Sequence, residues 1–194
     1  MILIALALLC LASVPLTGGH LSRLASARVR GTWIPVLALA LQVVIITIVP
    51  GGSPSAHRAL HIATYAMIGL FLVANRHLPG IRLIGAGVFA NALAIIANDG
   101  VMPASATADR LAGLHLGAGF HNSAPVAHPV LLWLGDVIPW PGPLHNVLSV
   151  GDVLIYAGTL VLVHRVCRRS PAPGAETMPT SGPAPASEPA RASS

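Results

Sequence analysis

Charge is what this sequence has least of. Of 194 residues, 9% are charged, where a soluble domain carries about 25%. Such a chain cannot cover a water-facing surface, so its solvent must largely be lipid. Lysine is missing altogether, and the 11 basic residues are all arginine. In a soluble chain the net charge of +5 would suggest nucleic acid. Here the arginines fall between apolar stretches, which points to topology and lipid headgroups and away from nucleic acid. The alanine, arginine, glycine and proline bias suits a GC-rich bacterial genome. Cysteine is nearly absent too. Cys10 lies within the first apolar run and Cys167 just beyond the last, so they should sit at different depths and not pair. No C-x-x-C, H-E-x-x-H, P-loop, Rossmann fingerprint or nucleophile elbow occurs, and no metal or cofactor is implied.

What is present is apolar sequence: 54% hydrophobic residues and a mean hydropathy of +0.75. The runs predict an all-α fold, an integral membrane bundle of five transmembrane helices. These cover Met1–Leu16, Trp33–Val49, Ala59–Ala74, Ile81–Asn98 and Val150–Val166. Val130–Ile138 is apolar but too short for the roughly 20 residues a span needs. It reads as a re-entrant or interfacial segment turned back by Pro139, Pro141 and Pro143. Ser105 can cap a short surface helix through Ala112. Residues 1–167 make one membrane domain. Residues 168–194, rich in Pro, Ala and Ser, cannot offset their ordering entropy and should form a disordered cytoplasmic tail. Most arginines fall on one side of this arrangement. The positive-inside rule then places the protein in the inner membrane as a multi-pass chain, N-terminus outside and C-terminus cytoplasmic.

Polar residues inside such a chain are costly and so informative. Gly-Asp-Val occurs twice, at Gly135-Asp136-Val137 and Gly151-Asp152-Val153. Ser149-Val150-Gly151-Asp152 fits a capping box, with Ser149 as N-cap, and the helix dipole favours an acid there. Asp136 has no such box and needs a partner: a donor amide, backbone N–H groups, an arginine or a proton. Gly87, Asn91, Ala94 and Asn98 share one helix face, which should point into the bundle. The candidate site is therefore one polar network of Asn91, Asn98, Asp99, Asp136, Ser149 and Asp152. Gln42, mid-helix, should face protein. Six of nine histidines fall on the outer side with no common ligand spacing.

These motifs, in their order and spacing, resemble an uncharacterised bacterial membrane family, domain of unknown function 5317. The matching residues are Asn75-Arg76 with Pro79-Gly80, Asn91, Asn98 through Pro103, Leu134 through Pro139, and Ser149 through Leu154. The likeness covers roughly residues 1–167. The family pattern carries glycine where this chain has Asp99. The resemblance implies an integral membrane protein and brings no activity, cofactor or catalytic residue.

Three function classes stay open. The leading one is a structural or partner-binding membrane component, joined to the bilayer, a second copy or another membrane protein. It expects a fully satisfied network and little cavity. The second is a binding or transport component for a proton, cation or small solute, acting through Asp136 and Asp152. It expects a polar cavity reaching both carboxylates. The third is a membrane enzyme acting on a lipid headgroup or exported molecule. It expects a carboxylate and an outer histidine to converge.

Overall fold

The computed structural model describes residues 2–44, 53–114, 123–141 and 145–168. Helix α1 (Ile2–Leu16) is apolar along its length. A 3-10 turn at Leu21–Leu24 and an extended stretch lead to α2 (Trp33–Val43). Helix α3 (Pro54–Ala74) opens on proline, whose missing N–H costs nothing in a first turn. Helix α4 (Ile81–Ala97) starts from Gly80 in the left-handed region, φ +79°. It ends at Asn98, after which Asp99 (φ 56°) and Gly100 (φ 85°) are both left-handed. Left-handed backbone favours glycine, and at position 99 an aspartate adopts it.

Between α4 and the last helix the chain forms small ladders. Strand β1 (Met102–Pro103) runs parallel to β2 (Ser123–Ala124), and Ala104 bridges to Asp136. Helix α5 (Ala106–Ala112) is capped by Ser105, whose hydroxyl accepts from Ala108 N at 3.3 Å. A 3-10 turn at Leu132–Leu134 feeds β3 (Asp136–Trp140). This strand pairs antiparallel with β4 (Asn146–Ser149), Asp136 opposite Ser149 and Trp140 opposite Asn146. Helix α6 (Val150–Arg168) continues directly from β4.

The five-span, all-α bundle expected from the apolar runs is not what the chain forms. Among the described residues, only Val150–Arg168 is both long and apolar enough to cross a membrane. The other apolar helical stretches, Ala5–Leu16, Trp33–Val43, Arg58–Ala74 and Ile81–Ala97, fall in the 10–17-residue range. At about 1.5 Å per residue they are shorter than a hydrocarbon core of about 30 Å. The expected end of the second span, residues 45–49, lies outside the described residues, as does the tail from 169. Val130–Ile138 is not a membrane helix. It is a 3-10 turn and half a hairpin, because prolines at 139 and 141 suit a strand edge and the ladder satisfies its backbone.

The most extensively packed pair is α4 with α6. They meet through glycines. A Cβ on Gly87 would strike the Gly151 carbonyl and lie 2.8 Å from Ile155 Cγ1. A Cβ on Gly158 would lie 2.6 Å from Ile84 Cγ1 and 2.9 Å from Gly80 O. Gly80 and Gly87 thus face Gly158 and Gly151 in antiparallel order, and the backbones touch. Elsewhere, Ala94, Ile95, Met102 and Leu134 form one buried cluster, and Val14, Val163 and Cys167 join α1 to α6. Both cysteines are free thiols.

Candidate functional site

Several polar side chains are buried in this fold while many large apolar ones are exposed. Asn75, Asn91, Asn98, Ser149, His61 and Thr64 are buried, while Leu9, Leu16, Val36, Leu39, Leu70 and Phe89 are each at least 60% exposed. A buried amide must be hydrogen-bonded to be tolerated, and each of these is. Asn98 Nδ2 donates to Ala94 O (2.7 Å) and Val130 O (2.7 Å), while its Oδ1 accepts from Val130 N (2.9 Å). Asn75 repeats the device at the end of α3. Its Nδ2 donates to Phe71 O and Arg30 O, both at 2.8 Å, and its Oδ1 accepts from Arg30 N at 2.8 Å. Each amide sits just past a helix, takes the carbonyl four residues back, and pins one remote residue by both backbone groups. Asn75→Ala is expected to destabilise the chain by about 2–4 kcal/mol, from stranded buried groups. Asn98→Ala should cost less, because Val130 is half exposed. Thermal melts of both variants check the order.

Ser149, Asp152 and Asn91 form a closed cluster. Ser149 Oγ accepts from Asp152 N (2.9 Å) and Asp152 Oδ2 accepts from Ser149 N (3.0 Å), the reciprocal capping box legible in the sequence. Asn91 locks it from α4, donating to Asp152 Oδ1 at 3.0 Å and accepting from Ser149 Oγ at 2.9 Å. Both carboxylate oxygens of Asp152 are thereby occupied.

Asp136 stands one ladder rung away, opposite Ser149. Its backbone carbonyl accepts from Ser105 N at 2.9 Å. Its carboxyl is pushed up to about 7, chiefly by burial; a hydrogen bond from Ser123 opposes the rise, and the charges of Asp152 and then Asp109 add to it. The six expected residues therefore divide. Asn91, Ser149 and Asp152 form one cluster with Asp136 beside it. Asn98 clamps a different loop. Asp99 is 90% exposed and pairs at 3.6 Å with Arg58, apart from the network.

A cavity of about 450 Å³ opens where α2, α3, α4 and the hairpin meet. Its polar lining includes Gln42, His61, Asn91, Ser123, Asp136, Asn146 and Asp152, and apolar residues such as Leu39, Val43 and Ile95 make up much of the rest. His61 Nδ1 lies 2.8 Å from Gly100 O. A carbonyl only accepts, so that nitrogen carries the proton. The His61 and Tyr65 rings meet edge to face, 5.6 Å between centroids. Gln42 reaches protein as expected, donating to Thr64 Oγ1 at 2.7 Å. His128 and His145 are exposed and do not line the cavity, while His121 lies outside the described residues. Among the described residues, no three His, Cys, Asp or Glu side chains are grouped to hold a metal.

Sequence reasoning placed His61 only among the outer histidines, four residues from His57, named Asn75 only as a matching residue, and missed Asp109. Asp109 is buried in α5, its Oδ2 has no hydrogen-bond partner among the described residues, and burial raises its carboxyl. The signal for it was weak: one acid in a seven-residue helix.

The fold and site define a helical protein with many exposed apolar side chains, in which Asp136 of a β-hairpin and Asp152 of α6 line one cavity. The chain belongs to the family of unknown function termed domain of unknown function 5317, whose model matches residues 26–164. It is 31% identical over 100 residues to an uncharacterised protein of Thermotoga maritima. That match covers 50% of this chain and 58% of the relative. No solved structure matches.

Proposed function

We propose that this chain is a bilayer-embedded binding component for a small cationic solute, with Asp136 exchanging its proton for the bound charge. The cavity that reaches both Asp136 and Asp152 is the observation that carries this reading. A purely structural network would have been packed shut. Among the described residues no arginine lines the cavity, so the carboxylates face it without a fixed counter-charge. Asp152 is held in place by Asn91 and Ser149. Asp136, its carboxyl pushed up to about 7 chiefly by burial, is the group that switches. The exposed leucines, valines and Phe89 support lipid as the solvent of the helices, with α6 long enough to reach across it.

The chain should stay in the membrane pellet after an alkaline carbonate wash. Titrating the purified protein with methylammonium at pH 6.5, in two buffers of different ionisation enthalpy, reads the proton exchange. About one proton or less should be released per cation bound, and none from Asp136→Asn. Release that is unchanged in Asp136→Asn would remove Asp136 from the mechanism. Recovery in the carbonate supernatant would overturn the membrane assignment.

A further inference from the structure

The acid-lined cavity does not end at its acids. A second chamber, of about 240 Å³, lies between α2, α3 and α4 and includes Ala38, Ile68 and Val88 in its wall. Leu39, Gln42 and Tyr65 line both chambers, so the two share a wall. Polarity is divided between them. In the second chamber Thr64 Oγ1 donates to His61 O at 2.6 Å and accepts from Gln42, and apart from Thr64 and the shared Gln42 and Tyr65 its lining, Pro35, Ala38, Leu39, Ile68 and Val88, is hydrocarbon. Taken together, the two volumes fall in the range of small-molecule sites, roughly 300–1,000 Å³.

His61 supplies an independent pointer to what binds. It is 3% exposed, yet it lines the polar chamber. Because Nδ1–H is committed to Gly100 O, Nε2 holds a lone pair. Nε2 can therefore accept from a donor held in the chamber. A bare metal ion offers no N–H, and among the described residues no three His, Cys, Asp or Glu side chains are grouped to hold one. A protonated amine fits. It carries a positive charge for the carboxylates and several N–H groups, one of which can reach His61. The adjoining Tyr65 ring offers a face for the same cation.

We propose that the ligand is an amphipathic primary amine, its ammonium among Asp136, Asp152 and His61 and its apolar body in the α2–α3 chamber. This rests on the cation-binding reading above and narrows it. The charge anchors the head, and the apolar chamber selects for a chain. Since each buried methylene contributes about 0.8 kcal/mol, affinity should rise about fourfold per methylene until the chamber is full.

The test uses the full chain in phosphatidylcholine nanodiscs at pH 7. Four probes are titrated: methylammonium, decylammonium, decyltrimethylammonium and decyl sulfate. Partitioning into lipid is subtracted with Asp136→Asn, once its melt shows it folded. Decylammonium should bind far more tightly than methylammonium, and the trimethylated probe about tenfold or more weaker than decylammonium, lacking N–H donors. Decyl sulfate should not bind. His61→Phe should erase the preference for the primary amine. Val88→Phe should shorten the chain length at which affinity stops rising and leave methylammonium unaffected. Binding of methylammonium through Asp136 with no gain from the chain would sink the amphipathic ligand and keep the cation site. Binding of no ammonium probe would sink both. Equal binding of decyl sulfate, or of the trimethylated probe, would also overturn the assignment.

Discussion

Replacing Gly151 with alanine will unfold or grossly destabilise this protein, although alanine is the better helix former. A Cβ at Gly151 would collide with Asn91 Oδ1 and come within 2.6 Å of Gly87 O. Neither neighbour can move cheaply. Gly87 O is backbone of α4, and the Asn91 carboxamide is held at both ends by Ser149 and Asp152. The methyl group therefore separates α4 from α6, opens the glycine seam and breaks the capping cluster together. Overpacking of a close seam costs about 3 kcal/mol or more, beyond what the helix propensity of alanine returns, about 0.5–1 kcal/mol. Gly85 is the internal control. It lies on α4 two positions from Gly87, and a Cβ there meets nothing within 4 Å. Gly85→Ala should be neutral or slightly stabilising. Melting temperatures of the two variants in one detergent decide it: equal effects would mean the helices do not touch through Gly151.

The second large effect concerns Asp136 and pH. Its carboxyl lies at about 7 in the folded chain against an ordinary 3.8. The folded state therefore holds a proton that the unfolded state has released across the window between those values. The stability that Asp136 contributes should be greatest at and below about pH 4 and decline as pH climbs through 7, flattening above it. At 1.36 kcal/mol per unit the whole decline is about 4 kcal/mol at most. Asp136→Asn is neutral at every pH and should lose that slope. It should melt above the natural protein at pH 8 and no higher than it at pH 4. Burial shifts Asp109 in the same direction, so the difference between protein and variant isolates Asp136. Burial lowers His61 and gives an opposing rise with pH, so the difference between protein and variant is what decides: a variant that keeps the slope would show that Asp136 is ionised and solvated.

Local chemistry was readable from the residues alone. Ser149-x-x-Asp152 is a capping box because both partners lie within one turn, and such bonds need no tertiary context. The buried face of Gly87, Asn91, Ala94 and Asn98 was legible for the same reason, since helical period places them together. Ser105 as a cap and Gln42 as an inward amide also follow from near neighbours. Asn75 was visible as a residue of the family pattern but not as a clamp, because its partner Arg30 lies 45 positions away. His61 was hidden by its outer position in an assumed topology. Asp99 went the other way: adjacent to Asn98 in the chain, it is turned out to solvent by a left-handed backbone.

The sequence by itself determined that apolar side chains dominate, that polar groups are few enough to require partners, and roughly where the apolar helices lie. Tertiary structure alone decided that the apolar runs are helices mostly too short to cross a bilayer, and that 136–149 closes as a hairpin. It also decided that Asp136 and Asp152 share a cavity. The reason is distance along the chain. Caps and helix faces are set by contacts three or four residues apart. A ladder, a glycine seam and a cavity each depend on segments brought together from afar, and apolar periodicity does not encode which segments those will be.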